Sequence, residues 1–390
     1  MWRRAAFWLL GSAALVVYLA PGLAAPGAHW PLWDVRVYAW GGQQADQGSP
    51  LYTPGAPFSF TYPPFAAWLF TDVPTGALKA FLLAGSVAAL AVLAGQGLNA
   101  AGVRPRADVV FGVSALALLS RPVAYTLHLG EVNLLLAALV GSDLLRRRDG
   151  ARWQGVATGL AAGIKLTPLI FAVYLLVTGR VRAAAAAAGT FAATVAVGYL
   201  VLPAQSRTFW LGGIFVNSQR IGDPANPSDQ SLAGALARLA SSTGPPLAWW
   251  LATAAVAGLA GLAIAAWAHW RGHRLAGVVC CAVTGLLVSP ISWTHHWVWA
   301  VPLVVWLATA AWQRRSWPAA LGVAGAVIVF SGLPMPWAGR PPGAGRLLAS
   351  DLYVLYGLAV LAATALALAL ERRMCGRGDL NPHGVATNRT

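Results

Sequence analysis

Charged residues are scarce in this chain of 390 residues. Only 10% of the residues are Asp, Glu, Lys or Arg, whereas a soluble domain usually carries about 25%. Hydrophobic residues make up 58%, and the mean hydropathy is +0.62. Apolar runs of about 20 residues recur, each long enough to cross a hydrocarbon core of about 30 Å. The composition therefore predicts an all-α polytopic membrane protein, since helices satisfy their own backbone hydrogen bonds in lipid.

Cysteines are also few, and nucleotide-binding signatures are missing. Of the three cysteines, Cys280 and Cys281 are adjacent inside an apolar run, and Cys375 lies near the C-terminus. This distribution predicts neither a disulfide framework nor a metal site. Neither a GxGxxG nor a P-loop pattern occurs, so we expect no nucleotide substrate and no cofactor.

The net charge of +15 would suit a nucleic-acid partner, but the distribution of the arginines does not. They form short clusters between apolar runs, as in the cytoplasmic loops of membrane proteins. We therefore expect no nucleic-acid partner, and a multi-pass protein of the plasma (inner) membrane with both termini cytoplasmic. The clusters are Arg3-Arg4, Arg104/Arg106, Arg146–Arg148 with Arg152, Arg180/Arg182, Arg271/Arg274, Arg314-Arg315 and Arg372-Arg373.

Apolar runs alternate with these clusters in a way that predicts about twelve transmembrane or half-membrane helices. They would form one domain over residues 1–371, followed by a polar, disordered cytoplasmic tail over residues 372–390. Long loops at 25–75 and 204–245 would lie outside the cell, and a short outer turn would cover RPVAYTLHLGEVN. The crossings are expected at residues 7–24, 76–98, 107–124, 132–145, 183–203, 246–268, 275–290, 297–312, 317–333 and 352–370.

The segment 153–178 breaks this alternation. Arginines flank it on both sides, so both of its ends should be cytoplasmic, yet it is too short for two crossings of about 20 residues each. Lys165 and Pro168 lie near its middle. We predict two short helices with Lys165 at the turn, an arrangement that membrane proteins tolerate only where it is buried or lines a cavity.

Asp34 is one of only 12 acidic residues in the chain. It lies in the first outer loop between Trp33 and further aromatic residues. One interpretation is a surface aspartate that caps a helix starting at Val35. The other is a general base, because a carboxylate can take the proton of a sugar hydroxyl as its oxygen attacks.

Other polar residues at the expected membrane edge also need an explanation, because such groups are costly there. Lys165 is one of two lysines, and its ammonium needs an anion. His295 and His296 are either part of an interfacial aromatic belt or donors to a phosphate or sugar oxygen. Adjacent histidines on a helix point to different faces, so we do not expect both to bind one metal.

Four further polar residues are candidates for acceptor or substrate binding. Glu131 and Asn133 begin an apolar run, where capping or an internal ion pair is the alternative. Gln230 and Ser231, in DQSLAG, could bind sugar hydroxyls, whereas polar loops are usually solvated. The aromatic Tyr62, in FTYPP, is a candidate for substrate binding or for shaping a cavity wall.

These groups suggest sugar transfer from a lipid phosphate. A base activates a hydroxyl, and cations and histidines stabilise an anionic leaving group, so one carboxylate suffices for inversion. A retaining mechanism would need two close carboxylates. A secondary transporter or lipid flippase is the rival interpretation, because transporters share broken helices and buried charge. A non-catalytic membrane scaffold would leave Lys165 unexplained.

The motifs WDVRVY, GSPLY, FTYPP, WQG…GLAAGIKLTP, DQSLAG and SPISWTHHW form a spaced set over residues 30–300. This set resembles glycosyltransferase family 87, whose members include polyprenyl-phosphomannose-dependent mannosyltransferases of the GT-C membrane fold. The resemblance implies a GT-C-like fold and transfer of mannose from a β-linked polyprenyl-phosphate donor to an acceptor hydroxyl. The acceptor would be a glycolipid or glycan, and the product an α-linkage made at the extracytoplasmic face without a nucleotide or metal.

Residue roles also follow from the resemblance. Asp34 matches the expected general base, and His295 and His296 match the motif beside the donor phosphate and sugar. Lys165 would be a phosphate partner. The family commonly has NQS where this chain has DQS, so Gln230 and Ser231 match and the aspartate before them departs from the pattern.

Overall fold

The structure is a computed structural model that describes residues 2–24, 31–53, 60–145, 151–216, 220–240, 247–333 and 348–378. Within these ranges all regular secondary structure is helical. The only strand-like pairing there is an isolated antiparallel bridge between Asp229 and Trp293. The predicted all-α class is therefore confirmed.

The described ranges contain seventeen α-helices, numbered here in chain order, and two short 3-10 helices. The α-helices are α1 Trp2–Ala24, α2 Trp33–Asp46, α3 Pro64–Leu69, α4 Thr75–Ala100, α5 Ala107–Ala117, α6 Arg121–Leu129, α7 Asn133–Leu144, α8 Val156–Ile164, α9 Leu169–Val177, α10 Val181–Val201, α11 Pro203–Trp210, α12 Leu232–Leu239, α13 Leu247–Trp270, α14 Arg274–Val288, α15 Ala300–Gln313, α16 Trp317–Phe330 and α17 Leu352–Gly378. The 3-10 helices are Ile214–Val216 and Thr294–Trp299.

Five of these helices, α1, α4, α10, α13 and α17, are long and apolar enough to cross a membrane. They confirm the helices predicted at 7–24, 76–98, 183–203, 246–268 and 352–370. The pair α5 and α6 would add a sixth crossing, bent by 80° at the break between them. Helices α7, α14 and α16 are apolar but shorter.

The turn predicted over RPVAYTLHLGEVN is wrong for most of its length, because α6 occupies Arg121–Leu129. The crossing predicted at 107–124 ends early for the same reason, since α5 stops at Ala117. Pro122 has no backbone N–H to bond to Leu118, and its ring would collide with that carbonyl, which favours a break in the helix before it. Gly130 then ends α6 with a φ of 71°, a conformation that suits glycine.

The long loop at 25–75 and the C-terminal tail contain more helix than predicted. The loop holds α2 and α3. Helix α17 continues to Gly378, so residues 372–378 are helical rather than disordered. Good helix formers from Glu371 to Met374 extend it, and Gly376 and Gly378 favour its end. Residues 379–390 of the predicted tail lie outside the described ranges.

Small residues bring α8 very close to α10. A Cβ atom on Gly159 would lie 2.3 Å from the carbonyl oxygen of Ala187, and one on Gly163 would lie 2.3 Å from Oγ1 of Thr194. The alanine run of α10 supplies the matching flat surface. This contact fixes α8 at its back, so the turn that follows α8 has a defined position.

Candidate active site

A cavity of about 600 Å³ lies where the start of α2, the turn after α8 and the 3-10 helix Thr294–Trp299 meet. Its wall combines charged groups with apolar side chains. It brings together most of the residues selected from the sequence. The charged and histidine side chains that line it are Asp34, Glu131, Lys165, Arg220, His295 and His296, and Tyr62 also lines it.

Asp34 does not cap a helix. Helix α2 begins at Trp33, and Leu32 is its N-cap residue, with φ 50° and ψ 45° and no side-chain capping bond. The backbone N–H of Leu32 donates to the carbonyl oxygen of His128, at 3.0 Å, which attaches the start of α2 to the end of α6. The Asp34 side chain is partly buried and lines the cavity instead. The capping alternative is therefore excluded by the helix boundary.

The surroundings of Asp34 adjust its acidity. Burial, and after it the nearby Glu131 carboxylate, raise the pKa of Asp34, the Lys165 ammonium opposes the rise, and the net value is about 7. A carboxyl group with this pKa exists in both protonation states near neutral pH. It can therefore accept a proton from a hydroxyl and release it afterwards.

Lys165 lies at the predicted break between two short helices, and this prediction is confirmed. Helix α8 ends at Ile164, Lys165 has extended backbone angles (φ −146°, ψ 132°), and α9 begins at Leu169. Pro168 explains the break, because it cannot donate a backbone hydrogen bond to Ile164.

The Lys165 ammonium has three polar neighbours. Its Nζ atom donates to Oε1 of Glu131 at 2.5 Å and to Oδ1 of Asn133 at 3.0 Å. Nε2 of His296 lies 3.2 Å away. The ion pair is shielded from solvent, since the Glu131 side chain is only 1% exposed. The two interpretations of Glu131 are therefore compatible, because it forms an internal ion pair and also lines the candidate site.

Two tyrosines complete the surroundings of Glu131. The hydroxyl of Tyr62 donates to Oε1 of Glu131 at 3.2 Å, and the hydroxyl of Tyr38 lies 3.0 Å from that of Tyr62. Tyr38 also accepts from the backbone N–H of Val132 at 3.4 Å. The Tyr62 hydroxyl is thus held by protein partners, and its ring forms part of the cavity wall beneath Lys165, with Nζ 5.6 Å from the ring centroid.

His295 and His296 both point towards the cavity, so the expectation that they face different sides is wrong. They lie on a 3-10 helix that follows a loop, and their rings meet edge to face with centroids 4.8 Å apart. The His295 carbonyl accepts from Asn133 Nδ2 at 2.9 Å and from Thr126 Oγ1 at 3.0 Å. Burial lowers the pKa of His295 to about 4 and that of His296 as well. Both rings are therefore neutral hydrogen-bonding groups near pH 7.

Glu131, His295 and His296 offer three ligand atoms within 4.8 Å of one another, a set that could hold a metal ion. Two imidazoles and a carboxylate suit zinc. The Lys165 ammonium, however, already contacts two of the three donors. Its positive charge occupies the position of a bound cation, so the residues present do not fit a metal while Lys165 is there.

Gln230 and Ser231 are fully buried and are not among the residues that line the cavity. Ser231 caps α12 by accepting from the N–H of Gly234 at 3.0 Å. The Gln230 side chain accepts from the N–H of Tyr353 at 3.0 Å and donates to the carbonyl of Ser350. The structure thus gives both residues structural partners, and does not bring them to the other candidates.

Asp229 attaches this segment to the loop that precedes the histidines. Its Oδ1 accepts from the N–H groups of Ser231 at 3.1 Å and Ser292 at 2.9 Å. The N–H of Gln230 donates to the carbonyl of Ser292 at 2.7 Å, and that of Thr294 donates to the carbonyl of Ser228 at 2.9 Å. We call residues 228–231 with 292–294 the loop clamp. It positions the histidines, and of its own residues only Trp293 lines the cavity.

Arg220 is a cavity residue that the sequence motifs do not select. It follows residues 217–219, which lie outside the described ranges, and its guanidinium lies 5.6 Å from the ring centroid of Tyr52. One signal could have identified it. An arginine in an expected outer loop runs against the positive-inside distribution, and such a residue needs a reason to be there.

Known proteins resemble this chain over most of its length. A profile of glycosyltransferase family 87 matches residues 60–290. A polyprenol-phosphate-mannose-dependent alpha-(1-2)-phosphatidylinositol pentamannoside mannosyltransferase of Mycobacterium tuberculosis is 35% identical over 355 residues, covering 85% of this chain and 78% of that protein. A polyprenol-phosphate-mannose-dependent alpha-(1-2)-phosphatidylinositol mannoside mannosyltransferase of the same species is 31% identical over 391 residues, covering 90% of each. No solved structure matches.

Proposed function

This chain belongs to glycosyltransferase family 87, and we propose that it transfers mannose from a polyprenyl-phosphate donor to a hydroxyl of a phosphatidylinositol mannoside. The convergence of Asp34, Glu131, Lys165 and the two histidines in one cavity is the observation that carries this proposal. The names of the relatives support the donor, the class of acceptor and an α-(1→2) linkage.

The proposed reaction is a single displacement. Asp34 accepts the proton of the acceptor hydroxyl while its oxygen forms a bond to the anomeric carbon of mannose. The bond from that carbon to the polyprenyl phosphate breaks on the opposite face, and the phosphate oxygen leaves with the electron pair. A β-linked donor thus gives an α-linked product. The neutral histidines can donate hydrogen bonds to the departing phosphate or to sugar oxygens.

We also propose a GT-C-like architecture of about twelve transmembrane or half-membrane helices in the plasma membrane. Both termini would be cytoplasmic and the cavity would open to the extracytoplasmic side. The orientation follows the arginine clusters, and exposed tryptophans support the placement of these helix ends at a membrane interface, which indole rings favour on either side. Trp153, Trp270, Trp312 and Trp317 are each at least 66% exposed, and each lies within two residues of an arginine in a predicted cytoplasmic cluster.

The test is transfer by the purified chain in lipid nanodiscs. We expect label from polyprenyl-phosphomannose to appear in a phosphatidylinositol mannoside, and Asp34→Asn to reduce the rate by a factor of about 10² to 10⁴, the usual contribution of general-base catalysis. Asp46→Asn is the matched control, because Asp46 is exposed at the other end of α2. Substrate flux into proteoliposomes without any transfer would instead support a transporter or flippase.

A further inference from the structure

The cavity contains two cationic side chains, and only one of them is neutralised. An ammonium group has three N–H donors. Those of Lys165 face Glu131, Asn133 and Nε2 of His296, at 2.5, 3.0 and 3.2 Å. Its charge is balanced by the Glu131 carboxylate, and no donor remains for a ligand. Lys165 therefore cannot bind a further anion without losing a protein partner.

Arg220, in contrast to Lys165, is not neutralised by any of the described residues. Its guanidinium has five N–H donors, and its one hydrogen bond to a described residue is long, 3.5 Å from Nη2 to the carbonyl of Phe60. Among the residues that the structure describes, no carboxylate forms an ion pair with it. Burial lowers the pKa of Arg220 from its ordinary value, as expected for a cation that has lost part of its hydration without gaining an anion.

The position of Arg220 is fixed by aromatic neighbours. Its guanidinium lies over the ring of Tyr52, whose hydroxyl donates to the carbonyl of Tyr62 at 2.9 Å. The backbone two residues later passes the indole of Trp293 so closely that a Cβ atom on Gly222 would lie 2.9 Å from it. The unpaired charge is thus held at the cavity wall.

Apolar residues near Arg220 in the chain line the same cavity, namely Ile214, Phe215 and Ile221. A partly desolvated guanidinium beside an apolar wall suits a ligand that joins an anion to a hydrocarbon chain. Arginine is particularly suited to phosphate, because its planar fork can donate two parallel hydrogen bonds.

We propose that Arg220 binds the phosphate of a lipid substrate in this cavity, and that Lys165 is a positioning residue for Glu131 and His296. The inference rests on the proposed function, in which donor and acceptor each carry a phosphodiester. It differs from the role that the family resemblance implies for Lys165.

A binding experiment tests the inference without requiring turnover. The affinities of polyprenyl phosphate, phosphatidylinositol and the uncharged polyprenol are measured for the wild-type chain, Arg220→Met and Arg207→Met in nanodiscs. Arg207 is the matched control, because it is an exposed arginine of α11 outside the cavity lining. We expect Arg220→Met to weaken binding of at least one lipid phosphate about 10- to 100-fold, the range for a charged hydrogen bond. Polyprenol binding should stay within about twofold, since burial of its chain is unaffected.

Kinetic measurements identify which phosphate is bound. A rise in the KM for polyprenyl-phosphomannose alone assigns Arg220 to the donor, and a rise in the KM for the phosphatidylinositol mannoside alone assigns it to the acceptor. If Arg220→Met unfolds, Arg220→Lys replaces it. This variant keeps the charge but not the fork, so we expect a smaller loss that is again confined to the phosphates.

Two results would overturn the inference: unchanged binding of both lipid phosphates, or an equal loss for polyprenol and polyprenyl phosphate. Either outcome leaves mannose transfer by the wild-type chain untouched. Conversely, a wild-type chain that binds polyprenyl phosphate through Arg220 but transfers no mannose contradicts the proposed function alone.

Discussion

Asp34 must be ionised before it can accept a proton, so the rate of transfer should follow its titration. Burial and Glu131 raise the pKa of Asp34 to about 7. The rate should therefore be half-maximal at about pH 7 and fall about tenfold per pH unit below it. Glu131→Gln removes a group that raises this pKa, and Lys165→Met removes one that lowers it. The two substitutions should move the midpoint in opposite directions.

The size of each shift can be worked out from the cavity. We take the width of the cavity, about 10 Å for a sphere of 600 Å³, as the separation between Asp34 and each of these two charges. A unit charge at that distance contributes about 1.7 kcal/mol at an effective dielectric constant of about 20. This corresponds to about one pKa unit. We expect midpoints at about pH 6 for Glu131→Gln, about pH 7 for the wild type and about pH 8 for Lys165→Met.

The assay is initial-rate transfer of labelled mannose between pH 5 and 9, with each variant scaled to its own high-pH plateau. This scaling removes the loss of absolute activity that follows from breaking a buried ion pair. The thermal unfolding temperature, measured at each pH, shows that a fall in rate is not caused by denaturation. A wild-type midpoint near pH 4 would refute the buried-base argument. If Glu131→Gln and Lys165→Met moved the midpoint in the same direction, the argument that these two charges adjust the pKa of Asp34 would be refuted.

Three further predictions concern the metal-like ligand set, the loop clamp and the packing of α8. Lys165→Ala should allow one Co²⁺ to bind, detected by visible absorption, whereas the wild-type chain should show no such band. Burial raises the pKa of Asp229 to about 6, so its ionised form destabilises the fold increasingly as the pH rises from about 4 to 6. Asp229→Asn should therefore unfold at an equal or higher Tm than the wild type at pH 8, while Asp229→Ala, which leaves two N–H groups without an acceptor, should unfold at a lower one. Gly159→Ala should cost about 1–3 kcal/mol by overpacking against Ala187, whereas Gly189→Ala on α10, where a Cβ would meet nothing within 4 Å, should be neutral or stabilising by Tm.

Local chemistry determined the parts of the structure that the sequence predicted well. The long apolar runs became helices because nothing within them competes with the helical hydrogen-bond pattern. The break at Lys165 was foreseeable because Pro168 cannot donate the hydrogen bond that would continue the helix. Asp34, Lys165 and the histidines were selected because charged and polar groups are rare in an apolar chain, and the structure places them in one cavity.

Features that depend on contacts between distant segments were not predictable in the same way. Adjacent residues of a 3-10 helix turn by about 120°, yet both histidines reach the cavity, because they lie in the first turn of Thr294–Trp299, directly after the loop that the loop clamp fixes. In the sequence Gln230 resembles a surface amide of a polar loop, yet its side chain bonds to the carbonyl of Ser350 and the N–H of Tyr353. Arg220 belongs to no regular pattern, and only its position at the cavity reveals its unpaired charge.

The loop clamp has a consequence for protein engineering. Residues 228–231 and 292–294 are far apart in the sequence, yet they exchange backbone hydrogen bonds in both directions. A chimera that takes only one of these segments from a relative would join two surfaces that have not been selected to fit each other. Exchange of both segments together preserves the pairing, so the two should be treated as a single cassette when loops are grafted between members of the family.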